Sequence, residues 1–228
     1  MHWGYAGAIA ENREAMDSIG LITSHGFYGD GLCERWSNPH SGAGTALLRS
    51  IRPDLHAWVT STSWKKMDSK FAAELHHNIY DAQVNAIIPW AAIQLQNGWV
   101  GGDPNPGCAF SVKGDGTYTV ENGYYYYKHF SRAGQPGMKV AATSCAYTPC
   151  KVSAFAAAKT TNRNTFIVTN TTSELQSINI QIEGGQSLYH MYRTTPNEHY
   201  VDLGCRNILE KCVTIECPPD SVTSFVEQ

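Results

Sequence analysis

The sequence predicts a mixed α/β segment followed by an all-β segment, and two patterns support this fold class. Before Pro136–Gly137, apolar runs alternate with stretches of helical periodicity, the order typical of a parallel barrel or a doubly wound sheet. After it, seven short β-branched runs separated by turn residues indicate a β-sandwich. We therefore expect a barrel-type domain over residues 1–137 and a β-sandwich domain over residues 138–228.

The first segment predicts strands and helices in alternation. The most regular helical pattern covers Ser69–Asn85, with Asp68 or Ser69 available as N-cap. Pro89 lacks the amide hydrogen of a central strand, so we expect a bulge or kink there. The remaining elements are predicted over Ile19–His25, Gly44–Ile51, Leu55–Thr60, Ala86–Ile93, a hairpin of Ala109–Val112 with Thr117–Val120, and Tyr124–Arg132.

The second segment contains only strand patterns. Each run is short, rich in β-branched or aromatic residues, and bounded by turn residues. The seven predicted strands are Met138–Thr143, Val152–Lys159, Thr165–Asn170, Ser177–Ile182, Leu188–Arg193, Cys212–Ile215 and Val222–Val226.

Composition excludes several classes of protein. A hydrophobic fraction of 42% is enough for a core, which argues against disorder. With 17 basic and 20 acidic residues, the chain lacks the positive field that binds a nucleic acid backbone. No apolar run approaches the ~20 residues that cross a bilayer, so we expect no membrane partner. Neither a P-loop nor a dinucleotide fingerprint is present, and we expect no cofactor.

The cysteines predict a secreted or extracytoplasmic protein with disulfides. Of seven cysteines, five lie between residues 145 and 217, and no C-x-x-C spacing favours zinc or redox chemistry. The odd total leaves at least one thiol unpaired or bonded outside the chain. The sequon Asn170-Thr171-Thr172 agrees with secretion in a eukaryotic host. The N-terminus has no leader pattern, so either a leader was removed or the chain begins inside a longer protein.

Five stretches, in fixed order, carry a resemblance to a known family. They are ITSHGFYGDG, LHAWVTSTSW, IIPWAAIQ, GYYYYKHFSRAGQPGMKVAATS and PPDSVTSFV. Together they resemble the C-terminal half of glycoside hydrolase family 30, from about Gly7 to the end of the chain. The resemblance implies a (β/α)8 barrel with a side β-sandwich and retaining cleavage of β-linked glycans. It identifies Ile19–His25, Leu55–Ser61 and Ala86–Ile93 with the sixth, seventh and eighth barrel strands.

The resemblance implies only part of a barrel, about the last three to four βα units. A complete barrel needs about 250 residues, and residues 1–137 supply roughly half. An open half barrel exposes strand edges and an apolar interior that something must cover. The alternatives are a missing N-terminal segment, self-association into a homo-oligomer, or a gene fragment.

The chain departs from the family at its catalytic position. The family's seventh strand ends in Trp-x-Thr/Ser-Glu with Glu as nucleophile, whereas this chain has Trp58-Val59-Thr60-Ser61. Retaining hydrolysis needs two carboxyl groups about 5 Å apart, and an unassisted hydroxyl does not replace one. The family's acid/base Glu lies on the fourth strand, which the resemblance places before this chain. We therefore expect a pseudoenzyme, with Ser61 at the catalytic position but inactive.

The resemblance also implies a sugar-binding cleft at the ends of the strands. A barrel places its binding groups in the loops after its strands, although core packing accounts equally well for His25 and Trp90. The substrate-binding candidates are His25, Tyr28, Trp64, Trp90, Gln94 and Trp99. His77 and Asp81 have the spacing of a metal pair on a helix, but a solvated helix face is favoured and we expect no metal.

Three hypotheses of function follow. In the first, the chain binds a β-linked oligo- or polysaccharide with little or no hydrolysis. In the second, an N-terminal half supplies the acid/base and completes an active glycoside hydrolase, with Asp30 or Glu34 as nucleophile. In the third, the chain is a structural subunit of an extracellular assembly.

Overall fold

A computed structural model of the chain describes residues 4–26, 42–63, 68–95 and 107–228. The described part contains five helices, α1 (Gly4–Ala10), α2 (Arg13–Ser18), α3 (Gly42–Ile51), α4 (Ser69–Tyr80) and α5 (Asn122–Ala133). The chain divides into two compact units, the first formed by Met1–Lys66 with His77–Val120 and the second by Met67–His76 with Glu121–Gln228. Helix α5 groups with the second unit, and the domain boundary near residue 137 stays a prediction. No helix of the described residues has the length and apolarity to span a membrane.

The first unit contains a parallel sheet of three strands in chain order, which confirms the mixed α/β class. The strands are β1 (Ile22–Ser24), β2 (Ala57–Ser63) and β3 (Ala86–Trp90). Alternate residues of a strand point to one face, and Ala57 and Val59 are buried on the face that carries the core. Helices α1 to α3 and the segments beside the strands complete that core, whose buried members are Ala6, Met16, Ile22, Leu48, Leu55, Ala57, Val59, Ala82 and Val84.

The strand predicted over Ala86–Ile93 is confirmed from Ala86 to Trp90, but its continuation to Ile93 is wrong, because a second strand begins there. After β3 the chain forms β4 (Ile93–Leu95), which pairs in parallel with β5 (Phe110–Val112) in a second sheet. The change of partner begins at the Ala92 carbonyl, which accepts hydrogen bonds from the Ala109 and Phe110 amides at 3.1 and 2.8 Å. The predicted hairpin is confirmed by the antiparallel pairing of β5 with β6 (Tyr118–Val120).

Helix α4 begins where the sequence predicts. The Asp68 carboxylate accepts hydrogen bonds from the amides of Lys70 and Phe71 at 2.9 and 3.1 Å, the geometry of an N-cap. The helix ends at Tyr80, short of the predicted Asn85, and Gln83 adopts a left-handed φ of 54° that no α-helix contains. Helices α1 and α2 were not predicted, because each is too short to show helical periodicity.

The second unit is built from antiparallel strands. They are β7 (Lys139–Ala141), β8 (Cys150–Ala156), β9 (Thr165–Asn170), β10 (Gln176–Gln181), β11 (Leu188–Thr195), β12 (Glu198–Asn207), β13 (Cys212–Cys217) and β14 (Ser221–Glu227). Six form one sheet in the order β12-β11-β14-β9-β8-β7, and β10 pairs with β13. All seven predicted strands are present. The sequence missed β12, an edge strand whose residues are exposed or only half-buried and which lacks a β-branched run.

The core of the second unit includes residues from both sheets. Its buried members are Phe166, Val168, Ile180, Tyr189, Ile208, Val213, Ile215, Cys217 and Phe225. Helix α5 adds a buried polar group, because the imidazole of His129 is fully enclosed and lies 2.8 Å from the Ser224 hydroxyl and 2.9 Å from the Thr194 hydroxyl. Burial lowers the pKa of His129 to about 3, so this side chain is neutral in the folded protein.

The predicted disulfides are not formed among the six described cysteines, all of which are free thiols. Close spacing of cysteines in the sequence was not a sufficient signal for disulfides, because the fold separates the residues by burial. Cys150 and Cys217 are buried, whereas Cys205 and Cys212 are exposed. The sequon is also internal. Asn170 is fully buried, and its amide nitrogen donates hydrogen bonds to backbone carbonyls, so it is not available to a glycan in the folded protein.

Candidate active site

The carboxyl ends of β1, β2 and β3 lie at one edge of the parallel sheet. Ser24 is in register with Val59, and Ser63 is in register with Trp90. In parallel α/β proteins, this edge is the one that carries binding and catalytic groups. The residues that the sequence singled out on these strands therefore share the edge at which a site is expected.

Ser61 lies in a β-bulge near the end of β2. Thr60 pairs with Ile88 and Thr62 with Pro89, so the ladder passes over Ser61, whose φ is 63°. The extra residue also reverses the alternation, since Thr62 takes the buried side that residue 61 would otherwise hold. The bulge thus separates Ser61 from the regular ladder, and its side chain is half-buried.

Trp90 and Gln94 lie on different sheets of the first unit. Trp90 ends β3 and is 47% exposed, so much of its indole is open to solvent. Gln94 is in the middle of β4, in register with Ser111. Its side-chain oxygen is buried and has no hydrogen-bond partner among the described residues. A buried amide oxygen without a partner is costly, and a bound hydroxyl group would satisfy it.

His25 is exposed directly after β1. The turn that carries it is fixed by Ser24, whose hydroxyl donates to the Gly26 carbonyl at 2.8 Å and accepts from the Gly26 amide at 3.3 Å. The other predicted binding residues, Tyr28, Trp64 and Trp99, lie outside the described residues.

No carboxylate lies on the three parallel strands. Residues 22–25, 57–63 and 86–95 contain no Asp or Glu, so the strand ends at this edge offer hydroxyl, imidazole and indole groups, and the amide of Gln94 lies on the second sheet. The alternative nucleophiles Asp30 and Glu34 lie outside the described residues. His77 and Asp81 form a solvated pair, with Nδ1 and Oδ2 2.7 Å apart, and the described residues contain no cluster of three metal-ligating side chains.

Two arginines, which the sequence analysis missed, hold the opposite end of the sheet. Arg49 of α3 donates to the carbonyls of Leu55 and Gln83 at 2.8 and 2.7 Å and to the Asn85 side-chain oxygen at 2.8 Å. Burial lowers the pKa of Arg49, but a guanidinium remains charged at any physiological pH. Arg52 binds the carbonyls of α2 and of the residue after it in the same way. This end of the sheet is therefore structural.

The second unit contains a cavity of about 970 Å³ that the sequence did not indicate. It is lined by residues of β7, β8, β9 and β10 and by the segment after β7, including the half-exposed ring of Tyr147. The residues that line it include several with small side chains, such as Ala142 and Ser144, and the polar residues Gln176 and Asn179. Strand patterns reveal which residues face a core but not where neighbouring sheets diverge, so no sequence signal identified it.

No protein-family model matches the sequence, and no curated protein is a significant match. Solved structures do match. The chain is similar to a GH30 endoxylanase from Clostridium papyrosolvens C71, with a TM-score of 0.72 and 19% identity over 96% of this chain and 52% of that one. It also matches the glycoside hydrolase family 30 subfamily 8 xylanase of Clostridium acetobutylicum, with a TM-score of 0.70 and 16% identity over 97% and 51%.

A third match is the catalytic domain of GH30 xylanase C from Talaromyces cellulolyticus, with a TM-score of 0.67 and 16% identity over 100% of this chain and 49% of that one. The chain thus spans about half the length of the structures that it matches. At these identities the likeness concerns the fold alone. The fold of this chain is similar to about half of a family 30 glycoside hydrolase.

Proposed function

We propose that this chain is the carbohydrate-binding part of a family 30-type protein, and that it binds a β-linked glycan without cleaving it. The observation that carries the proposal is Ser61, a hydroxyl in a bulge at the carboxyl end of β2, on a fold similar to half of a glycoside hydrolase. Within this proposal, Ser61 occupies the position of the nucleophile.

The absence of turnover follows from the chemistry of the edge. Retaining hydrolysis needs one carboxylate to attack the anomeric carbon and a second carboxyl group to protonate the leaving oxygen. Residues 22–25, 57–63 and 86–95 supply neither. The Ser61 hydroxyl is a weak nucleophile unless a base removes its proton. The proposal therefore assigns recognition, rather than bond cleavage, to this edge.

Recognition would rest on Trp90, Gln94 and His25. Trp90 is 47% exposed, and its indole would offer an apolar platform for the C–H groups of a pyranose ring. The Gln94 oxygen, buried and without a partner in the described part of the chain, would accept a sugar hydroxyl. His25, exposed at the end of β1, would donate or accept a further hydrogen bond.

The proposal extends to the architecture. In it, β1 to β3 are strands of a partial (β/α)8 barrel, and the antiparallel strands of the second unit form a side β-sandwich. Ile88 and Trp90 lie on the sheet face opposite the core, and they are 48% and 47% exposed. In a closed barrel that face would be the interior, so we propose that a segment corresponding to the rest of the barrel covers it.

Sedimentation velocity tests whether such a segment covers this face. A monomer that shifts to a 1:1 complex when a polypeptide carrying the remaining barrel strands is added would support it. A stable homo-oligomer that buries the same face would contradict this proposal and show that a second copy of the chain covers the face.

Calorimetry tests the binding function. We expect heat of binding from one class of β-linked oligosaccharide in a panel that includes xylan and β-glucan fragments. Replacing Trp90 by Ala should weaken that binding at least about fivefold, because stacking contributes on the order of 1 kcal/mol or more. The matched control is Tyr147→Ala, an aromatic ring of similar exposure in the second unit. If the folded protein gives no heat of binding with any oligosaccharide of the panel, the proposal is refuted.

A mechanism-based fluoro-glycoside tests the absence of cleavage. We expect no sugar bound covalently to the unaltered protein, as judged by intact mass. A glycosyl adduct, with or without the missing segment, would show that another carboxylate such as Asp30 or Glu34 acts as nucleophile, and the binding-only proposal would fail. In the Ser61→Glu variant with that segment supplied, an adduct at residue 61 would support the position assigned to Ser61, and labelling elsewhere would contradict it.

A further inference from the structure

A cysteine, a histidine and an aspartate meet on the outer edge of the six-stranded sheet. His190 lies on β11, and Asp202 and Cys205 lie on its neighbour β12, the edge strand. The Nε2 atom of His190 is 2.6 Å from Oδ1 of Asp202, and its Nδ1 atom is 3.5 Å from the sulfur of Cys205. Both ring nitrogens therefore have partners, one a carboxylate and one a thiol.

A β-bulge in β12 creates this arrangement. Cys205 is in register with His190, but Asp202 is three residues away and would lie on the opposite face of a regular strand. The register shifts between Met191 and Tyr192, so β12 contains one residue more than β11 at this point. Asp202 is thereby turned to the face that carries Cys205.

Gly204 makes the bulge possible. Its φ of 73° lies in the left-handed region, and its amide donates to Oδ1 of Asp202 at 2.7 Å. That bond and the bond to His190 hold the pKa of Asp202 below its usual range, so the carboxylate is ionised. The aspartate is fixed in place by its own strand.

The contacts define the roles of the ring nitrogens. An ionised carboxylate accepts only, so Nε2 of His190 carries the proton that bonds to Asp202. Nδ1 of the neutral ring is then the acceptor, and it faces the S–H group of Cys205. The ring also stacks on Tyr192, with centroids 4.9 Å apart and planes at 16°, which limits its rotation. Cys205, His190 and Asp202 thus contact one another in the order of a nucleophile, a base and a group that orients the base.

We propose that Cys205 is a reactive thiol, activated by His190 and Asp202, that forms mixed disulfides with low-molecular-weight disulfides. The S–H proton passes to Nδ1 of His190 as the thiolate attacks one sulfur of the incoming disulfide. The S–S bond of that disulfide breaks, a new S–S bond to Cys205 forms, and the departing thiolate takes up the proton. No other oxidant is needed, because the small disulfide is itself reduced.

Access and contrast with the other cysteines support the assignment. Cys205 is exposed on an edge strand, and the Asp202 side chain is 60% exposed. Cys150 and Cys217 are buried, and burial raises their pKa values to about 11 and about 12, so they remain protonated and shielded. Cys212 is as exposed as a thiol reagent requires, but no hydrogen bond to its sulfur is seen in the described part of the chain. It is the natural internal control.

Site-resolved labelling tests the proposal. The protein is reduced, freed of reductant and exposed at pH 7 to oxidised glutathione, and the adduct at each cysteine is followed by peptide mass spectrometry. We expect Cys205 to react about a hundredfold faster than Cys212, the lower end of the range of general-base assistance. His190→Gln should lower the rate at Cys205 to that of Cys212, and Asp202→Asn should lower it several-fold.

The variants also separate chemistry from folding. Cys150, which is buried on β8 of the same sheet, reports whether the sheet is intact, because it should stay unreactive in each variant. The rate at Cys212 should not change. Equal rates at Cys205 and Cys212 in the unaltered protein would overturn the proposal. So would an unchanged rate at Cys205 in Asp202→Asn and in His190→Gln. The readout is independent of glycan binding, so this proposal stands or fails separately from the proposed function.

Discussion

The two units differ in where their large apolar side chains are exposed. In the second unit, large apolar side chains such as Phe225, Ile167 and Val222 are fully buried. In the first unit, large apolar side chains remain exposed on the strands that follow one another at the candidate site, namely Ile88, Trp90, Ile93 and Leu95. An exposed apolar sheet face is a candidate for contact with another surface. The second unit also exposes apolar side chains, such as Leu175 and Leu209, but Ile88 and Trp90 share one face of β3, and in the proposed function another segment covers that face.

Buried polar groups differ between the units as well. The second unit encloses a neutral His129 and the amide of Asn170, each hydrogen-bonded on both sides. The first unit instead uses the charged Arg49 to join backbone carbonyls at the structural end of its sheet. Substitutions in the second unit should therefore cost more than substitutions of exposed groups in the first.

The largest effect is expected at Asn170. Its nitrogen donates to the carbonyls of Glu174, Cys217 and Pro218 at 2.9 to 3.0 Å, and its oxygen accepts from the Thr172 amide at 3.0 Å. Asn170→Ala leaves these groups without partners, and we expect a loss of about 3–4 kcal/mol in the free energy of unfolding.

Urea unfolding followed by hydrogen exchange in peptides of the second unit measures this loss. The control is Asn179→Ala, an exposed residue on β10, which should change stability by about 0.5 kcal/mol or less. An equal loss in both variants would mean that the Asn170 contacts do not support the unit.

Arg49 should be the most sensitive polar residue of the first unit. Arg49→Met removes charged hydrogen bonds to backbone carbonyls, and we expect a loss of about 2–3 kcal/mol. All six tryptophans lie in the sequence of the first unit, so intrinsic fluorescence in urea follows this unit alone. Arg13→Met is the control, because that side chain is 95% exposed and should have almost no effect. A fluorescence midpoint unchanged by Arg49→Met would contradict the structural role.

Acid should destabilise the second unit through His129. The pKa of this buried imidazole is about 3 in the folded protein and about 6.5 when unfolded, so below pH 6.5 only the unfolded chain gains the proton. Stability that is complete above pH 6.5 is then lost as the pH falls, by about 1.4 kcal/mol per unit between pH 5.5 and pH 4.

The slope attributable to His129 is the difference between the unaltered protein and His129→Gln, measured by urea unfolding at several pH values. The variant removes the titrating group and retains an amide in its place. Parallel pH profiles for the two proteins would show that His129 does not titrate as its burial requires.

The smallest effect is expected at Ile93. This side chain is 68% exposed on β4, so Ile93→Ser should change the free energy of unfolding by about 0.5 kcal/mol or less, as measured by fluorescence in urea. The matched substitution in the second unit is Ile215→Ser, where the side chain is 3% exposed and the expected loss is several kcal/mol. A large loss at Ile93 in the isolated chain would mean that its face is already covered, and the contrast between the units would disappear.

Much of the fold was predictable, because its signals are local. The Asp68 cap, the periodicity of α4 and the β-branched runs of the second unit each depend on residues close in sequence. Of the candidate site, the resemblance identified Ser61, His25, Trp90 and Gln94. The structure locates the first three at or near the strand ends of the parallel sheet and Gln94 on a different sheet, and the role of each stays a prediction. Tyr28, Trp64 and Trp99 stay predictions.

What the sequence alone determined about this protein is its mixed α/β class, seven strands of its second unit and the lack of a carboxylate on the three parallel strands. The tertiary structure decided the two bulges, the change of partner at β4 and the contacts of Arg49. Each of these depends on the register of a neighbouring strand or on a carbonyl distant in sequence. Local propensity contains no information on such pairings, because their energy arises only when the chain has folded.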